Sequence, residues 1–142
     1  MKNYILMACF FILMTCSRDN NGNNCRFLLN LGVNVEVNMN LPQYSSQLPF
    51  PNNPVYIANH GNGGIVVNNV GSSYRAFDAA DPNHTLSGCS TISINGIIGT
   101  CGCEDANQYS LLDGQPMNNG SLRCGLKEYR VDVSGNTLII SN

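Results

Sequence analysis

An all-β fold is what this sequence predicts, on three observations. Apolar residues recur in short alternating or β-branched runs, turn-forming residues interrupt them about every ten positions, and no segment after residue 25 keeps a helical period. Composition points the same way: no tryptophan, 14 glycines and only 11% charged residues suit a loop-rich β protein. At 142 residues the chain is long enough for one domain with a sizeable core.

Taken in order, residues 33–39 (VNVEVNM) alternate strictly, so Val33, Val35, Val37 and Met39 share one face of a strand. LPQYSSQLPFPNNP, punctuated by prolines, is expected to be a loop. PVYIA (54–58) and GGIVV (63–67) are strands joined by NHGNG, in which His60 is a turn residue. SYRAFDA (73–79) adds a strand entered through the turn NNVGS. In TISINGIIGTC, Asn95-Gly96 separates two apolar runs and predicts a tight hairpin. KEYRVDV and NTLIIS flank Ser134-Gly135 as a final hairpin. No stretch repeats another. So many short strands predict a sandwich or stacked antiparallel sheets in one domain, residues 25–142.

The N-terminus reads differently. Residues 1–15 carry Lys2 and then an apolar run from Tyr4 to Met14, too short to span a bilayer but of signal-peptide proportions. Leu13 to Cys16, LMTC, resembles a bacterial lipobox, in which the cysteine becomes the acylated first residue of the mature protein. A plain secretory signal cut near this point is the alternative. Acylation of Cys16 would hold the protein on membrane lipid without a spanning helix, with residues 16–24 as a polar tether. The expected location is therefore the bacterial cell envelope. There thiols tend to pair, and beyond Cys16 the chain has Cys25, Cys89, Cys101, Cys103 and Cys124, an odd number.

Several function classes drop out. A net charge of −2 without any Lys/Arg cluster offers no field for nucleic acid. No G-x-S-x-G or comparable nucleophile motif supports a hydrolase. The abundant asparagines fit loops and turns.

From Tyr74 onward the order YRAFDAADPNH, hairpin, CGCE, QYSLLDGQPM, LKEYRVDVSGNTLIIS resembles the Rieske iron–sulfur domain. That family has a first loop C-x-H-x-x-C, a hairpin, a second loop C-x-C-H, a strand like F-D-x-x-T-G, then L-x-x-Y-x-V and a terminal hairpin. Tyr109, Asp113-Gly114, Leu126, Tyr129, Val131 and Val133 fall on that pattern. The resemblance implies stacked antiparallel sheets with two loops joined by a disulfide.

A Rieske centre holds its [2Fe–2S] cluster with two cysteines and two histidines. Carried over by position, the first-loop cysteine is Asp81, the first-loop histidine falls on Asn83, and the second-loop histidine is Glu104. Only Cys101 stands at a ligand position, although the longer loop from Asp81 to Cys89 lets His84 shift into the histidine role. Carboxylates in place of thiolate and imidazole suit an iron–sulfur cluster poorly. The resemblance also implies that Cys89 and Cys103, at the non-ligand loop positions, form the inter-loop disulfide, with Cys101 a remnant of a ligand. With no Lys, Arg or His beside it in sequence to lower its pKa, Cys101 is expected to be a buried, inert thiol. Cys25 and Cys124 remain by elimination, as a second bridge or as separate thiols.

The expectation is a membrane-anchored, Rieske-like domain without a cofactor, a non-enzymatic scaffold or binding module for an unidentified envelope protein. A [2Fe–2S] electron-transfer protein with altered ligands is the contrasting reading. A third is a single metal ion among Asp81, Asn83, His84 and Glu104, with oxygen donors favouring Ca²⁺ or Mn²⁺ and His84 admitting Zn²⁺.

Overall fold

Val35 and Val37 point into the core from β1 (Asn34–Asn38) while Asn34, Glu36 and Asn38 stay exposed, as period-two alternation dictates. The structure, a computed structural model, describes residues 25–142, so the readings placed on residues 1–24, Cys16 among them, lie outside the described residues. The proline-punctuated segment is not wholly irregular. It contains one helical turn, α1 (Pro42–Ser45), with proline at its start, where the missing N–H costs nothing. Leu48, just beyond it, is fully buried.

The remaining strands are β2 (Val55–Ile57), β3 (Ile65–Asn69), β4 (Tyr74–Asp78), β5 (Ile92–Asn95), β6 (Ile98–Cys101), β7 (Gln108–Ser110), β8 (Glu128–Ser134) and β9 (Thr137–Ser141). They form a six-stranded sheet, β1-β9-β8-β4-β3-β2, and a three-stranded sheet, β5-β6-β7, with every pairing antiparallel. Both predicted hairpins are present, one residue out of the expected register. Asn95 pairs with Ile98 and Ser134 with Thr137, so the loops are Gly96-Ile97 and Gly135-Asn136. In each the glycine takes the first loop position at φ +58, and the preceding Asn95 or Ser134 stays in the strand.

Two cores result. One face of the large sheet buries Val35, Val37, Ile65, Val67, Leu138 and Ile140 around Leu48. Its other face presents Val66 and Phe77 to Ile92 and Tyr109 of the small sheet and to Leu111 just past β7, with Leu126 in the same cluster. Covered on both sides, β3 is buried at all five positions, which explains why its apolar residues run consecutively instead of alternating. Fully burying a side chain such as Phe77 contributes about 1.5–3 kcal/mol. The asparagines that end β3 are buried too, and their amide nitrogens find partners while Asn68 Oδ1 has none. Asn68 Nδ2 donates to the Leu111 carbonyl at 2.9 Å, across the sheets, and Asn69 Nδ2 to the Leu48 carbonyl at 3.1 Å.

This layering aims two loops in one direction. Strand β4 runs out into residues 79–90 and β6 into residues 102–107. The exit of β4 is fixed by Asp78, which is fully buried and accepts from Asn62 N–H, Asn62 Nδ2 and the Tyr129 hydroxyl on Oδ2, and from Gly63 and Ala80 N–H on Oδ1. Burial, then the Asp78 carboxylate, push the Tyr129 hydroxyl pKa up, so it stays a donor. Gly61 closes against this pair at φ +62; a Cβ there would stand 2.6 Å from both Asp78 Oδ2 and the Tyr129 oxygen.

Candidate metal centre

The loop of residues 79–90 and that of residues 102–107 are joined by a disulfide between Cys89 and Cys103, 14 residues apart. A second disulfide, Cys25–Cys124, ties the first described residue to the loop before β8 over a separation of 99. Cys101, the last residue of β6, is a free thiol and is buried.

Asp81 organises the space between the loops. It is wholly buried, and three donors lie within 3 Å of it: the Tyr109 hydroxyl at 2.6 Å and Asn83 N–H at 2.8 Å on Oδ1, and Asn107 Nδ2 at 2.9 Å on Oδ2. Burial alone would raise its pKa. The hydrogen bonds from Tyr109, Asn83, Asn107 and Cys101 outweigh it and hold the carboxyl below its ordinary range, so Asp81 is a carboxylate. The same exchange, burial first and then Asp81, pushes the Tyr109 pKa up. The Asn107 amide also donates to Asp105 Oδ2 at 2.9 Å, so one nitrogen draws two carboxylates together.

His84 faces them. Its Nδ1 lies 2.9 Å from the Thr85 carbonyl, which can only accept, so Nδ1 carries the proton. In the neutral ring the Nε2 lone pair then points into the pocket. Nε2 is 3.3 Å from Cys101 Sγ, 3.5 Å from Asp81 Oδ2 and 3.7 Å from Asp105 Oδ2. Burial, together with the charges of Asp81 and Asp105, pushes the Cys101 thiol up to about 11 against the partial relief of the Cys103 N–H, so the sulfur keeps its proton at neutral pH when no cation is near.

The geometry sorts the residues singled out in the sequence. Asp81, His84 and Cys101 are brought together. Asn83 faces away from them: its Nδ2 donates to the Tyr109 oxygen at 2.7 Å and the Cys124 carbonyl at 2.8 Å, and its Oδ1 accepts from Cys124 N–H at 3.1 Å. It clips the first loop to the Cys25–Cys124 bridge. Glu104 is exposed and outside the cluster of metal-ligating side chains. Its neighbour Asp105 is inside that cluster instead, with His84, Cys101 and Cys103, although the Cys103 sulfur is bonded to Cys89. Asp81 is not a member of it, but its Oδ2 lies 3.5 Å from His84 Nε2. The turn closed by Ala106 N–H on the Cys103 carbonyl at 3.0 Å, with Ala106 at φ +43, carries this short loop. Asp105 and Asn107 were not among the predicted site residues, and the only signal for them was a second acid directly after Glu104 and an amide two residues on. His60 lies exposed in its turn, where its carbonyl accepts from Gly64 N–H.

No protein-family model matches the chain, and no curated protein does either. Solved structures do. A chain in the complex of reduced oxygenase and oxidized ferredoxin of carbazole 1,9a-dioxygenase aligns with a TM-score of 0.51 at 16% identity, over 77% of this chain and 93% of that one. The ferredoxin of carbazole 1,9a-dioxygenase from Nocardioides aromaticivorans aligns at 14% identity over 77% and 95% of the two chains, with a TM-score of 0.47. A Sphingomonas yanoikuyae ferredoxin aligns at 15% identity over 66% and 88%, with a TM-score of 0.45. At such identities the likeness speaks of architecture alone, and the architecture of this chain is Rieske-like.

Proposed function

We propose that this protein is a Rieske-like domain that works without a [2Fe–2S] cluster, as a binding or scaffold module held at the cell envelope by an acylated Cys16, with a protein of that envelope as its partner. The observation that carries the cluster-free reading is the position of His84 Nε2, which lies 3.3–3.7 Å from three other donors at once. In a binuclear cluster the two irons and their bridging sulfides stand between the ligand pairs, so a donor lies close only to its partner on the same iron. Here one imidazole neighbours the thiol and both carboxylates. The donor set disagrees as well, with one free thiol and one imidazole where the cluster takes two of each. These residues do not fit the cluster.

Transfer of single electrons is the second reading, and it is favoured by the likeness to the chain from the oxygenase–ferredoxin complex. Iron and acid-labile sulfide, measured per chain on protein isolated without oxygen, separate the two. Protein free of both supports the scaffold reading. Two irons and two sulfides per chain overturn it.

A further inference from the structure

We infer that the space between the two loops is a site for one divalent metal ion of the zinc class, held by His84 Nε2, Cys101 Sγ, Asp81 Oδ2 and Asp105 Oδ2. The inference rests on the cluster-free reading and gives the same pocket a different occupant.

Four features support it. The first is spacing. Zinc bonds of about 2.0–2.3 Å to nitrogen, oxygen and sulfur put the donors of a tetrahedral site about 3.3–3.8 Å apart. The three separations from His84 Nε2, 3.3, 3.5 and 3.7 Å, all fall in that interval. Second, the histidine is oriented as metal-bound histidines are, its far nitrogen donating to a backbone carbonyl, that of Thr85. Third, both carboxylates are held from behind. Tyr109 and Asn83 N–H occupy Asp81 Oδ1, while Asn107 bridges Asp81 Oδ2 and Asp105 Oδ2, so the two carboxyl oxygens are drawn together by one amide donor. Fourth, the donors are graded from inside to outside. Asp81 and Cys101 are buried, the His84 side chain is 23% exposed and that of Asp105 39%, so an ion has a route in past the rim.

Sulfur, imidazole and carboxylate together suit a borderline-soft ion such as Zn²⁺ better than the all-oxygen preference of Ca²⁺. Binding would displace the Cys101 thiol proton to solvent, and thiolate, neutral imidazole and two carboxylates would then surround the ion. Cys103 is excluded, because its sulfur is committed to Cys89.

The test titrates the purified, disulfide-bonded chain with Zn²⁺ and with Co²⁺ as a coloured stand-in. The expected result is one ion per chain and a tetrahedral cobalt spectrum with a thiolate-to-cobalt charge-transfer band. Cys101→Ser abolishes that band. Asp105→Asn, at the exposed rim where folding is least at risk, weakens binding about tenfold or more, and Glu104→Gln leaves it unchanged. Folded protein that takes up neither ion, a cobalt complex without the sulfur band, or a loss in Glu104→Gln matching that in Asp105→Asn overturns the site. Two irons with sulfide in the protein as isolated would instead overturn the cluster-free reading beneath it.

Discussion

Tyr109 donates its hydroxyl hydrogen to Asp81 Oδ1 across 2.6 Å, with both residues entirely shielded from solvent. The pair joins the small sheet, through β7, to the first of the two loops, and so decides where the Asp81 carboxylate stands. Tyr109 also receives the Asn83 amide, which links the same point to the Cys25–Cys124 bridge.

Tyr109→Phe removes that donor and leaves a buried carboxylate short of a partner. A hydrogen bond to a charged group contributes about 1.5–3 kcal/mol, and the substitution is expected to lower stability by about that much at neutral pH. The sign of its pH dependence follows from Asp81. Its folded pKa lies below the ordinary 3.8, so its stabilisation is present above 3.8 and is lost as pH falls through the depressed folded value. Urea unfolding of the two proteins should therefore show a gap that is full at neutral pH and closes in the acid range. A gap that widens on acidification would contradict the carboxylate assignment.

Removing the disulfides separates their roles by loop length. In the chain-entropy description, closing a loop of about 15 residues stabilises by about 3 kcal/mol and one of about 100 residues by about 4.7 kcal/mol. The separations here are 14 for Cys89–Cys103 and 99 for Cys25–Cys124. The double substitution Cys25→Ser/Cys124→Ser should thus cost more stability than Cys89→Ser/Cys103→Ser. Denaturation midpoints in the reverse order would show that the N-terminal bridge closes on a chain already ordered by other means.

Much of the fold was legible because its physics is local. Strict alternation in residues 33–39 can bury its valines only as a strand, and the glycines of the two hairpins can turn the chain where other residues resist. The inter-loop bridge followed from the resemblance of the loop order to a known family. What was not legible depends on backbone direction over one or two residues. Position favours Glu104 as the residue beside Cys103, yet the chain presents Asp105 to His84 and Asn107 behind it. Asn83 is one residue from His84, but its side chain is taken up by Tyr109 and Cys124, partners 26 and 41 residues away. No local pattern encodes such pairings.

Gly61→Ala tests the support beneath the first loop. A Cβ there meets Asp78 Oδ2 and the Tyr129 oxygen at 2.6 Å, and the backbone already sits in the left-handed region at φ +62. Strain of this kind, with displacement of a buried carboxylate, is expected to cost about 2 kcal/mol or more. Thermal unfolding should show it as a marked drop in Tm; an unchanged Tm would mean that Asp78 is free to move.

Attachment to the envelope is tested at Cys16, which lies outside the described residues. Expressed in bacteria with labelled fatty acid, the chain should take up label and sediment with membranes, and Cys16→Ser should do neither. Label retained by Cys16→Ser would place any acyl group elsewhere.

The central claim is that donors gathered around His84 cannot hold a pair of bridged irons. Electron paramagnetic resonance of the anaerobically isolated, dithionite-reduced protein tests it most directly. The predicted spectrum has no signal from a reduced binuclear centre. A rhombic signal of that kind, integrating to about one spin per chain, would contradict the account.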